Sequence, residues 1–286
     1  KERYWMPVDL YIGGSEHAVL HLLYSRFWHK VLYDVGVVST PEPFLKLVHQ
    51  GIVLGEDNQK MSKSRGNVVN PDDMIDRFGA DAVRLYEMFM GPLEAVKPWN
   101  TRGVEGVTRF LDRTWRLMVA DDGSLSPAVT SAEPALASQR ILHQTIKKVT
   151  EDIEALRFNT AISQMMVCTN EMTKLEIRPR ALLAPFVLLL APFAPHMAEE
   201  LWERLGHRQS LAHETWPAFD PALTVSDRLT IPIQVNGKLR GKIEVALEAS
   251  QAEVERCALD EVASTLQGKA PKKVIYVPKK LVNFVV

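Results

Sequence analysis

The chain has 286 residues, long for one domain and comfortable for two or three. It is 46% hydrophobic and 24% charged, as soluble globular proteins are, and its formal net charge of -1 gives no global pull on nucleic acid, so any RNA contact must come from local patches. Only two cysteines occur, Cys168 and Cys257, far apart; this argues against a disulfide framework or a cysteine zinc site and fits a reducing, cytoplasmic setting.

In chain order, residues 8–12 read as a buried strand ended by Gly13-Gly14, and a helix is expected over 15–34 with Gly36 as its stop. Residues 44–48 and 52–54 read as further strands. Asn70-Pro71-Asp72-Asp73 is a strong helix start: Asn caps, Pro takes the first helical position, and two acids face the positive end. Strands alternating with helices predict an α/β domain over 1–96.

Residues 97–226 read as an all-α bundle. Helical spacing of apolar residues runs over 102–119, 138–156, 159–174, 179–190 and 194–205, with a Ser/Pro/Ala-rich loop at 121–134. The richest apolar run, 182–194, is broken by Pro185 and Pro192 and reads as buried helix turns, so no membrane span is expected. No signal peptide is visible, and Lys1-Glu2-Arg3-Tyr4-Trp5 reads as mid-chain text, as in a fragment or a processed product.

Residues 227–286 read as a small α+β domain. A two-residue turn at Asn236-Gly237 would pair Val235 with Lys238 and put two apolar faces out of step. A three-residue loop, Asn236-Gly237-Lys238, pairs Val235 with Leu239 and Ile231 with Ile243, and is the expected hairpin. A helix over 251–267 and strands at 274–277 and 282–286 complete it.

The sharpest chemical signal is Lys60-Met61-Ser62-Lys63-Ser64. Two lysines and small hydroxyls on a loop between a strand and a capped helix suit a nucleotide's phosphates. Ammonium groups meet the negative charge that develops as pyrophosphate leaves, and the serines with backbone N–H groups add donors. Gly13-Gly14 sits at the carboxyl end of a strand, where open α/β sheets bind ligands and a glycine pair lets backbone approach closely.

The 60–64 string, continued by Arg65-Gly66-Asn67-Val68-Val69-Asn70-Pro71, resembles the KMSKS signature of the class I aminoacyl-tRNA synthetases. That family activates an amino acid with ATP and then esterifies tRNA. Asp9-Leu10-Tyr11-Ile12-Gly13-Gly14-Ser15-Glu16-His17-Ala18-Val19-Leu20-His21 is similar to the leucyl members and unlike the isoleucyl and valyl ones. The resemblance implies a Rossmann-like catalytic domain, of which residues 1–96 are the second half. It makes Lys60 and Lys63 catalytic. It puts Gly13, Gly14 and Glu16 at the ribose of the adenylate, His17 at the wall of the amino-acid pocket, and Gln50, Val53 and Leu54 near the adenine; Met61, Ser62 and Ser64 join the ATP site. ATP enters as its Mg2+ complex; no structural metal is expected. Glu16, His17 and His21 lack zincin order, because Glu16 precedes both histidines.

The helical stretch resembles the anticodon-binding bundle of the same subclass through Phe158-Asn159-Thr160-Ala161 and the 191–202 segment; His196 there reads as a helix-start or structural residue and not as a catalyst. The last stretch resembles the C-terminal module of bacterial leucyl enzymes. Its bases gather in the hairpin (Lys238, Arg240, Lys242) and the tail (Lys269, Lys272, Lys273, Lys279, Lys280), which suggests one phosphate-facing edge touching tRNA.

Two departures shape the expected function. No His-x-Gly-His-type motif occurs, and the editing domain's motifs are absent. Ligation of leucine to tRNA(Leu) is therefore expected only with an N-terminal portion carrying that motif and the editing domain, on the same polypeptide or as a separate α subunit. The chain alone is expected to be inactive. The rivals are a non-catalytic tRNA-binding module derived from a synthetase, and isoleucyl or valyl specificity.

Overall fold

A computed structural model of the chain describes residues 1–225, 228–246, 248–266 and 271–286. They form two compact units, Lys1–Phe219 and Asp220–Val286. The whole is mixed α/β, with a helical bundle and a C-terminal sheet domain.

The first unit opens with α1 (Glu2–Trp5) and β1 (Tyr11–Gly14). The helical segment that follows changes pitch. A 3-10 turn at Ser15–His17 gives way to a π turn at Ala18–Leu22 and then to α2 (Leu23–Asp34). The helix expected over 15–34 is thus α only in its second half, and π turns often mark functional sites. Gly36, at φ 75°, ends it.

β2 (Leu47–Gln50) lies parallel to β1, with Gly13 opposite His49 and Gly14 opposite Gln50. A parallel bridge between Val8 and Phe44 continues the pairing, so the two strands run a few residues later than their apolar runs suggested. β3 (Val53–Leu54) pairs in parallel with β4 (Lys97–Pro98). Between them run α3 (Pro71–Phe78) and α4 (Ala80–Phe89), parted by Gly79 at φ 86°. α3 starts as its sequence dictates: Asn70 Oδ1 accepts from the Asp72 N–H at 3.2 Å.

The bundle consists of α5 (Thr101–Met118), α6 (Leu136–Glu154), α7 (Phe158–Thr173), α8 (Arg180–Leu190) and α9 (Pro195–Arg204). The 121–134 loop is less plain than expected. It carries β5 (Val129–Thr130), parallel to β6 (Arg178–Pro179). Phe110, Met118, Ile162, Met165, Phe186 and Phe193 are fully buried, and the same core takes in Leu85 and Tyr86 of α4. The α6–α7 corner is built on Asp152, whose wholly buried carboxylate accepts from Lys148 (2.5 Å), Arg157 (2.8 Å) and Thr160 (2.7 Å).

α4 also holds the α8–α9 corner. Arg84 donates from Nε and Nη2 to the Pro192 carbonyl at 3.1 and 2.9 Å. Asp81 accepts from the N–H groups of His196 (3.3 Å) and Met197 (2.7 Å) and pairs with His196 Nδ1 at 2.9 Å. His196 is therefore a helix-start residue, as its place in the sequence suggests.

Packing is uneven. Apart from His29 and Pro43, no aliphatic or aromatic side chain of residues 1–81 is buried. Val19, Leu20, Tyr24, Phe27 and Trp28 are each about 59–69% exposed, and they repeat at helical spacing along one segment. So large an apolar stripe marks a surface built to be covered.

The second unit contains α10 (Pro221–Thr224), β7 (Arg228–Val235), β8 (Lys238–Ala246), α11 (Gln251–Glu261), α12 (Ala263–Leu266), β9 (Lys273–Val277) and β10 (Leu281–Val285). Strand order is β8-β7-β10-β9, parallel only between β7 and β10. Ile231, Ile233, Ile243, Val282 and Phe284 pack against Val254 and Ala258 of α11.

The hairpin corrects the expected three-residue loop. Val235 pairs with Lys238, across a two-residue turn whose Asn236 and Gly237 sit at φ 52° and 77°. The register then shifts beside Ile233 and Gln234: Gln234 faces Leu239 but Ile233 faces Gly241. Arg240 is the extra residue, and this bulge restores the Ile231–Ile243 pair. The phase conflict was real, but a bulge in the strand resolves it rather than a longer turn.

Candidate active site and nucleic-acid surface

The lysine loop is a closed ring growing from the end of β3. The Gly55 N–H donates to the Gln59 carbonyl at 2.8 Å, and Leu54 and Lys60 form an antiparallel bridge. Asn58, at φ 61°, makes the tight turn between them. Beyond it, Lys63–Arg65 form a 3-10 turn, and Gly66 at φ 69° sends the chain back. Ser62 Oγ and Ser64 Oγ lie 2.8 Å apart. Lys60, Lys63 and Ser64 are exposed, whereas Met61 is half-buried and packs, with Val53, on the edge of the bundle core. Met61 anchors the ring while the Lys60 and Lys63 side chains stay in solvent.

Three residues that carried no functional reading in the sequence complete the ring. The side-chain amide of Asn67 donates to both Asp57 carboxylate oxygens (3.1 Å each) and to the Lys60 carbonyl (3.3 Å), and its oxygen accepts from the Ser62 N–H at 2.8 Å. Asp57 also accepts from the Gln59 N–H at 3.1 Å. The Asn67 amide, followed by the Gln59 N–H, holds the Asp57 carboxyl below its usual range. Glu56 accepts from the N–H (3.0 Å) and hydroxyl (2.8 Å) of Thr101, which hold its carboxyl low and tie the ring to the start of α5. The signal in the sequence was slight: an Asp inside a Gly-to-Lys turn, and an Asn just past a Gly.

A second cluster lies at the carboxyl ends of β1 and β2. The register puts Gly13 and Gly14 beside His49 and Gln50, and His49 Nδ1 lies 3.3 Å from the Gly13 carbonyl. The Glu16 side chain folds back over Gly14, where a Cβ would stand 2.2 Å from its carboxylate. Gly14 therefore makes room for Glu16. Glu16, His17 and Gln50 are exposed, Gly14 is buried, and Tyr11 packs between His21 and Phe44. Gly51 joins the two clusters; its own Cβ would come within 1.9 Å of the Ala95 carbonyl oxygen, so only glycine fits. Among the described residues no group of three or more His, Cys, Asp or Glu side chains could hold a metal ion.

The basic residues of the second unit do not line one edge. β8 and β9 are the two opposite edges of the sheet, about 14 Å apart at ordinary strand spacing. What they share is an end. Lys238, Val235, Phe284 and Val274 form one row across the four strands, and Lys273 follows directly beside Val285. Lys272 donates its N–H to the Val285 carbonyl at 2.7 Å. Lys238, Arg240, Lys272 and Lys273 thus belong to the turn end, while Lys242 lies opposite Pro232, further along the sheet. Lys279 and Lys280 turn the chain at the far end, and Lys269 lies outside the described residues.

Residues 3–97 match the family of class I tRNA synthetases (I, L, M and V), and residues 139–256 match the anticodon-binding domain of tRNA ligase. The chain is similar to the LeuRS of Agrobacterium radiobacter K84 (agnB2), solved as a ternary complex with tRNA and LeuAMS: 36% identity and TM-score 0.69 over 98% of this chain. It spans 37% of the length of that protein. Two structures of Mycobacterium tuberculosis methionyl-tRNA synthetase with methionyl-adenylate share the fold over 73% of this chain and 47% of theirs, at 19% and 20% identity and TM-scores of 0.56 and 0.55. Among the described residues no helix is long and apolar enough to cross a membrane. The chain carries a class I tRNA synthetase domain of the I, L, M and V group, followed by the anticodon-binding domain of a tRNA ligase.

Proposed function

We propose that this chain supplies the lysine-loop half of the active site, and much of the tRNA grip, of an enzyme that ligates leucine to tRNA(Leu). The leucine carboxylate attacks the α-phosphate of ATP, which enters as its magnesium complex, and pyrophosphate leaves. A ribose hydroxyl at the tRNA 3′ end then attacks the leucyl carbonyl and displaces AMP. Lys63 stabilises the charge that develops on the phosphates most directly, and Lys60 supports it. Gly13, Gly14, Glu16 and Gln50 hold the adenylate, with His17 beside the leucine side chain. Catalysis is positioning plus charge stabilisation, with no covalent enzyme intermediate.

The observation that carries this reading is the 60–64 ring: two exposed lysines on a hydrogen-bonded loop that leaves a parallel strand and enters an Asn70-capped helix. Leucine is favoured by the 9–21 segment and by the likeness to a LeuRS. The bare apolar stripe at Val19, Leu20, Tyr24, Phe27 and Trp28 supports the need for a further catalytic portion to cover it, on the same polypeptide or as a separate subunit.

Leucine-dependent ATP–pyrophosphate exchange tests the reading in the complete enzyme. Lys63→Ala lowers the exchange rate by roughly 100-fold or more and leaves leucine affinity nearly unchanged. Near-normal exchange would remove Lys63 from its role.

A further inference from the structure

We propose that Asn67 is a positioning residue for the reaction: its side-chain amide, seated on Asp57, fixes the main chain of Lys60 and Ser62 and so sets where the two lysines stand. The inference rests on the functional reading above and extends it to residues outside the five-residue signature.

A strand residue holds its neighbour by offering one N–H and one C=O to a facing C=O and N–H. The Asn67 amide does the same with its side chain, accepting from the Ser62 N–H at 2.8 Å and donating to the Lys60 carbonyl at 3.3 Å. It therefore grips the loop on both sides of Met61. The remaining donor capacity goes to the Asp57 carboxylate, at 3.1 Å to each oxygen. The Gln59 N–H approaches the same carboxylate at 3.1 Å, so Asp57 is a fixed base plate.

The surroundings are shaped to this pair. Gly55 is buried, and a Cβ there would lie 2.7 Å from the Asp57 carboxylate and 3.0 Å from the Asn67 amide nitrogen. Any larger residue would push the clamp apart. Gly66, at φ 69°, brings the chain back so that Asn67 reaches the ring it closes. The bonds of Asn67 and Asp57 go to the loop and to each other, so the proposed action is through the loop. Their effect on rate follows from position alone, since a misplacement of about 1 Å in catalytic groups costs on the order of 100-fold.

Three variants in the complete enzyme test this. Asn67→Ala deletes the clamp, and Asn67→Asp turns the donor to Asp57 into a second carboxylate against the first. Asp57→Asn with Asn67→Asp exchanges the partners: the bond between positions 57 and 67 returns and the acceptor for the Ser62 N–H is kept, while the donor to the Lys60 carbonyl stays lost, so recovery over Asn67→Asp is expected to be partial. Asn67→Ala is expected to lower the turnover number of leucine-dependent pyrophosphate exchange by roughly 10- to 100-fold while the KM for leucine stays within about twofold. Asn67→Asp falls further, and the exchanged pair recovers at least about tenfold over that single variant. Hydrogen–deuterium exchange of the peptide spanning 58–66 follows the clamp without catalysis: it speeds up in Asn67→Ala and Asn67→Asp and slows again in the exchanged pair.

Wild-type turnover and loop protection in Asn67→Ala, or no recovery in the exchanged pair, would overturn the proposal. Failure of the functional reading looks different: Lys63→Ala then exchanges pyrophosphate at the normal rate, whatever the loop's protection shows.

Discussion

Asp152 offers the most direct probe of how the bundle is held. Its side chain is fully buried at the α6–α7 corner, yet it takes three bonds, from Lys148, Arg157 and Thr160. Asp152→Ala removes all three. Hydrogen bonds to a charged group are worth about 1.5–3 kcal/mol each in favourable cases. Here the partners are half in water, Lys148 44% and Arg157 53% exposed, so both regain solvation when the carboxylate goes. Losing the buried charge also relieves its own desolvation. The net expected loss is about 2 kcal/mol.

The effect must depend on pH. Burial raises the Asp152 carboxyl, but the bonds from Lys148, Thr160 and Arg157 outweigh it and leave the folded value below the ordinary one. A depressed folded value means the stabilisation is complete above the unfolded carboxyl range, near pH 4, and is lost as pH falls through the lower folded value. Urea unfolding followed by far-ultraviolet circular dichroism should show the full difference between wild type and Asp152→Ala at pH 7, shrinking below about pH 4. A difference under about 0.5 kcal/mol at pH 7, or one that does not change at pH 3, contradicts the reasoning.

Three further outcomes follow from other parts of the structure. Gly51→Ala places a methyl group 1.9 Å from the Ala95 carbonyl oxygen, so the entry to β3 must move; soluble yield and melting temperature should both drop, and an unchanged melting temperature would contradict the close approach. Asp81→Ala uncaps α9 at His196 and Met197, at a cost of about 1 kcal/mol in urea unfolding; hydrogen exchange should speed up at those amides first, and uniform exchange would count against the cap. Lys238→Ala with Arg240→Ala should weaken tRNA binding and lower the slope of log affinity against log salt by about one for each phosphate no longer neutralised. Lys279→Ala with Lys280→Ala, at the other end of the sheet, should leave that slope in place; the reverse pattern would move the tRNA surface to the far turn.

Features written in neighbouring residues were legible from the sequence. The start of α3 is one, because cap, proline and acids sit in four consecutive positions. The 60–64 string is another: it stands on an exposed loop between a strand and the capped helix, as its neighbours imply. Features set by distant partners were not. The Asn236-Gly237 turn was plain, but the bulge at Arg240 depends on pairing across β7, which no local pattern reveals. The bases looked like one edge because hairpin and tail are both rich in lysine; only the insertion of β7 and β10 between β8 and β9 separates them. The π turn at Ala18–Leu22 keeps an apolar pattern close to that of an α-helix, so spacing alone could not reveal it. Asn67 and Asp57 are ten positions apart, and nothing in either residue type announces that one clasps the other.

The central claim is that these residues form half of a leucine-activating site. It is tested by leucine-dependent ATP–pyrophosphate exchange, measured on this chain alone, on the remaining catalytic portion alone, and on the two combined. Exchange is expected only in the combination, with leucine preferred over isoleucine and valine. Exchange by this chain alone, or a combination that activates isoleucine or valine in preference to leucine, would contradict the claim.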